Sequence, residues 1–149
     1  MLSHTLIALF ERDLKRVIKE LELYPNEADL WRVEKDIANS AGTLVLHLIG
    51  NLNTYIGKEM GKTDYVRNRE LEFSLKDLPR EELIAKLNET ITVIKNALQN
   101  VTDQEMKQEY PLLVLQERTS TEYFLVHLST HLNYHLGQIN YHRRLVGSE

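Results

Sequence analysis

Cysteine is absent from this sequence of 149 residues. That excludes a disulfide framework, a thiolate zinc site and a thiol nucleophile of the protein's own, so any thiol chemistry must use a thiol from outside. Long apolar runs are missing too. None approaches the roughly 18 to 20 residues that span a bilayer, and no membrane partner is expected. A basic surplus is also lacking: the net charge is -4 and the two signs are interleaved. Nucleic acid calls for a basic face, so no nucleic-acid partner is expected. The opening stretch MLSHTLIALFERDLKR has a short apolar patch, no basic region ahead of it and no small-residue cleavage site after it. It does not read as a secretory signal, and a cytoplasmic address is expected.

What is present is ordinary globular composition, with 42% hydrophobic and 27% charged residues. The length suits one domain with a core of its own, and residues 1–149 are read as that domain. No internal repeat or low-complexity tract interrupts it.

Apolar residues recur at helical spacing in four stretches. In the first, Leu6, Leu9, Phe10, Leu14, Val17, Ile18 and Leu21 form one face, closed by Pro25. The second, about Lys35 to Ile56, has Ile37, Ala41, Leu44, Leu48, Leu52 and Tyr55 as its stripe, with Gly57 and Gly61 as terminators. The third starts at the Asp77-Leu78-Pro79 signal, has Glu81 and Glu82 in its first turn and runs along Leu83, Leu87, Ile91, Ile94, Leu98 and Val101. The fourth opens on Thr119 and Glu122, spaced as a capping box, and repeats through Phe124, Leu125, Leu128, Leu132, Leu136 and Ile139 to Gly147. Four amphipathic helices predict an all-α four-helix bundle. The connections between helices two and three and between helices three and four are longer than ordinary bundle loops. The first carries Arg67, Arg69, Glu70 and Phe73, and the second holds Tyr110, Pro111 and an apolar Leu112–Leu115 that suits a short extended piece.

Histidine is concentrated in HLSTHLNYHLGQINYH, at 127, 131, 135 and 142. Residues four apart project from the same side of a helix, so His131 and His135 can chelate one ion, on the flank of the Leu132–Leu136–Ile139 stripe with Gln138. On helix two, His47 and Asn51 occupy the corresponding flank. If the two notches face each other, three imidazoles form an open centre with positions left for water or substrate. The competing reading is unmetallated histidines in a polar groove, since an isolated H-x-x-x-H pair is a modest signal. His127 lies further toward solvent, His142 two turns beyond His135 and His4 near a terminus, so none joins the ligand set. Asn51, His127, Tyr134 and Gln138 are the candidates to surround and orient the ligands.

HLSTHLNYHLGQINYHRR, together with LHLIGNLNTYIG on helix two, resembles the DinB-like superfamily of small four-helix proteins, and N-R-x-L-E-F after helix two resembles an uncharacterised branch of it. The resemblance spans essentially the whole chain. It implies a divalent metal, zinc or nickel, on His47, His131 and His135, with Gly137, Gln138 and Ile139 as the family's G-Q-I. Where the family usually has a histidine before the last ligand and often an arginine after it, this chain has Tyr134 and Leu136.

The resemblance also implies, as one option, a transferase that activates the thiol of a low-molecular-weight cosubstrate, the physics being that a divalent ion on neutral imidazoles keeps its charge and favours a thiolate. The partner is then a small-molecule substrate or thiol. Metal-assisted hydrolysis is the second enzymatic reading, weakened by the lack of H-E-x-x-H and of a glutamate base beside the ligands. A non-catalytic metal-binding or stress-related bundle is the third. Exposed apolar residues such as Trp31, Leu113 or Val114 would suit a homodimer.

Overall fold

The apolar stripes do fold as helices, and a computed structural model describes residues 1–147. It is all-helical. Four long helices, α1 (Leu2–Leu23), α2 (Ala41–Leu52), α4 (Arg80–Leu98) and α6 (Thr121–Val146), carry the core, and two short ones, α3 (Arg69–Ser74) and α5 (Asp103–Met106), sit within the long connections. Helix α1 packs on α4 and α6, and α2 packs on the same two. Among the described residues no strand forms. Glu109 and Ser120 make an isolated antiparallel bridge, while the expected extended piece at Leu112–Leu115 is irregular.

The stripe read from the first helix is the buried face of α1, where Leu6, Phe10, Leu14, Val17 and Leu21 are almost fully enclosed. Helix α2 differs: every residue from Ala41 to Leu52 is buried. A helix covered all round needs neighbours on every side. Here α4 and α6 cover one side, while α3 and the 3-10 turn Glu27–Trp31 cover the rest. The connection after α2 is therefore a wall of the molecule.

Several boundaries depart from the sequence reading. Helix α2 starts at Ala41 and not near Lys35, because Asp36 has φ 68 and Ser40 caps the helix, accepting from the Thr43 amide. After Leu52 the helix widens into a π-helical stretch, Asn53–Lys58. The Tyr55 carbonyl accepts from the Tyr110 hydroxyl at 2.6 Å, which ties the second connection to this stretch. Asp77 has φ 61 and lies outside α4, whose cap is Pro79. Val101 is buried just beyond that helix. Ser120, not Thr119, caps α6, its hydroxyl accepting from the Tyr123 amide, and the Thr119 carbonyl accepts from the Tyr110 amide. The capping box is thus not formed. Trp31 is also not exposed: it is 8% accessible and lies against Gly42, where any Cβ would run into its ring. Leu113 and Val114 are exposed, as expected.

Candidate metal centre

Helices α2 and α6 lie side by side, and their polar notches meet. His47 Nε2 lies 3.4 Å from His131 Nε2, which lies 3.1 Å from His135 Nε2. Among the described residues His47, His131 and His135 are the one group of three or more such side chains able to share an ion. Four ligands at about 2.0–2.1 Å in a tetrahedron stand roughly 3.3–3.4 Å apart. The His47–His131 and His131–His135 spacings are close to that, and the ligand atoms of all three lie within 4.8 Å of one another.

Outer partners set which ring nitrogen carries the proton. Glu72 Oε1 lies 3.2 Å from His47 Nδ1, and a carboxylate accepts there from Nδ1–H. Gln138 Oε1 accepts from Nδ1–H of His135 at 2.7 Å. Both contacts leave the Nε2 lone pair free on the side where the three rings converge, which is how a metal-binding histidine is oriented. Burial pushes the His47 imidazole below its ordinary range, against the raising effect of Glu72. It pushes His131 further, to about 4, helped by His135 and His47 beside it. These two rings are neutral near pH 7, the form that binds metal.

Glu72 itself is buried, 6% accessible. Arg67 neutralises it through a fork, Nε to Oε2 at 2.8 Å and Nη2 to Oε1 at 3.0 Å, and its guanidinium lies 5.8 Å from the Tyr55 ring centre. Gly50 makes room for the carboxylate, since a Cβ there would overlap Glu72 Oε2. Phe73 closes the same side, its ring 5.5 Å from that of His47. Neither Glu72 nor the fork was legible from periodicity. The usable signal was Gly50 in the middle of an otherwise bulky buried helix, which marks a close approach.

The remaining candidates separate. Asn51 is buried one turn after His47, and its Oδ1 has no hydrogen-bond partner; nor has His131 Nδ1. Both residues line a cavity of about 240 Å³ next to the ligands, with Tyr55, Arg67, Arg69 and His127. The His127 ring lies 6.4 Å from that of His131 and, tilted, 5.9 Å from that of Phe124, and it stays outside the ligand cluster. Tyr134 is 65% accessible and meets His135 edge-on at 5.6 Å. His142 belongs elsewhere: it is buried, Nδ1 accepting from the Tyr24 hydroxyl at 2.6 Å and Nε2–H donating to the Arg32 carbonyl at 2.9 Å.

No helix among the described residues is long and apolar enough to cross a membrane. No curated protein matches the sequence. The family model described as "Protein of unknown function (DUF1572)" matches residues 3–149, and the chain belongs to that family.

Proposed function

We propose that this chain is a cytoplasmic DinB-like four-helix-bundle protein that binds one divalent metal ion through His47, His131 and His135 and uses it, as a transferase, to activate a low-molecular-weight thiol. The observation that carries this is the convergence of three Nε2 atoms, two of them with their lone pairs fixed by Glu72 and Gln138. Zinc and nickel both suit an imidazole set. An ion there would supply Lewis acidity, favouring the thiolate of a bound thiol. The protein's part is to hold three imidazole donors, leave further positions open, and keep apolar walls from Phe124 and Leu128 beside them.

Thiol activation is favoured over hydrolysis by a specific feature. A hydrolase needs a base beside the attacking water, and no carboxylate lines the cavity. Contrary to the expectation from sequence, a glutamate does lie beside a proposed ligand, because the connection after α2 brings Glu72 to His47, but its oxygens are directed to His47 Nδ1 and Arg67. A non-catalytic bundle held by metal is the competing reading, and it requires a closed coordination sphere.

The test uses tag-free protein, elemental mass spectrometry and His131→Ala, a substitution that keeps a good helix former. Near-stoichiometric metal in the parent and its loss in the variant are expected. Absence of metal from both after reloading would sink the metal reading. Metal that binds but shows no spectral response to any thiol would leave the non-catalytic bundle.

A further inference from the structure

We propose that the cavity beside the three histidines is a subsite for a carboxylate carried by the small-molecule thiol, with Arg69 as its counter-charge. This rests on the metal-and-thiol reading above and adds the class of thiol.

Charge accounting around the cavity is the basis. Two guanidinium groups line it, Arg67 and Arg69, and no acidic side chain does. Arg67 is taken up by its fork to Glu72. Arg69 makes no ion pair or hydrogen bond through its side chain among the described residues, and it is exposed while lining the cavity. An unmatched guanidinium beside a concave site with no acidic side chain in its lining favours a planar anion, and a carboxylate fits its donor geometry.

The cavity, about 240 Å³, has room for a short mercapto acid or the reacting end of a larger one. His47, His131 and Arg69 all line this one cavity, so one molecule in it would direct sulfur to the histidines and its carboxylate to the arginine. Phe124 and Leu128 would flank the carbon chain between them.

The test is a titration of the tag-free, cobalt(II)-loaded full chain with 3-mercaptopropionate, 2-mercaptoethanol and cysteamine at constant pH and ionic strength, read by the sulfur-to-cobalt absorption band. We expect 3-mercaptopropionate to half-saturate at about tenfold lower concentration than the neutral thiol, the size of one charge-assisted hydrogen bond, and cysteamine to be weakest. Arg69→Gln should abolish the preference while leaving 2-mercaptoethanol unchanged, and Arg69→Lys should restore part of it. Equal half-saturation by the three thiols, or a preference that survives in Arg69→Gln, overturns the subsite and leaves the metal reading intact. Failure of cobalt to bind, or of every thiol to give the band, sinks the proposed function itself, and the subsite falls with it.

Discussion

Glu72 reaches across from the connection after α2 to within 3.2 Å of His47 Nδ1, and the same carboxylate is held by Arg67. One residue of a six-residue helix thus sets the tautomer of a proposed ligand on a different helix. Replacing Glu72 by Gln keeps the shape and removes the charge. The expected result is metal affinity lower by roughly 10- to 100-fold, the usual effect of losing such a partner. Competition against a chromophoric chelator measures it, and unchanged affinity would show that the carboxylate does not orient the ring.

Two glycines should respond with opposite signs to alanine. At Gly50 the added methyl meets a buried carboxylate held on two sides, so Gly50→Ala is expected to cost about 1–3 kcal/mol, as overpacking does. At Gly137, within α6, an added Cβ meets nothing within 4 Å. There Gly137→Ala should stabilise by about 0.5–1 kcal/mol through helix propensity. Urea unfolding midpoints decide both.

Acid should destabilise the metal-free protein. Burial lowers the imidazole pKa of His142, His47 and His131, the last to about 4. Each group binds protons more readily once unfolded, so its contribution is complete above its ordinary value near 6.5 and is lost as the pH falls below it. The slope is at most about 1.4 kcal/mol per pH unit for each histidine. Urea midpoints between pH 8 and pH 5 test the sign, and a His142→Phe variant should show a shallower decline.

Metal should also be visible as stability. An ion held at 100 times its dissociation constant adds about 2.7 kcal/mol if it binds only the folded chain. For a domain of this size that raises Tm by roughly 5–10 °C. His135→Ala should lose the increment in a melt with added zinc, while Tyr134→Ala, at an exposed neighbour with only an edge-on ring contact, should keep most of it.

The proposed ligands were legible because helical phase is local: the four-residue step from His131 to His135 and the flank position of His47 need only a repeat of 3.6 residues. Glu72 was not, since it arrives from a connection whose path depends on tertiary packing. The burial of Trp31 is hidden from the sequence for the same reason. As a sequence letter it is a large apolar residue in a loop, but Gly42 opposite it leaves a flat bed that buries the ring. The start of α2 moved because Asp36 adopts a left-handed backbone, which no apolar stripe reveals. The all-helical class needed none of these details, only stripes long enough to demand partners.

His47 and His131 approach each other across 84 residues of chain. An ion coordinated by both would fasten the first third of the polypeptide to its last, as a disulfide does elsewhere. Unlike a disulfide, an ion that binds only the folded chain fastens it by mass action, so the hold strengthens with the concentration of free ion and is not set by the length of the loop. A sequence without cysteine would then have a removable clasp, opened by a chelator or by protonation of its imidazoles rather than by a reductant.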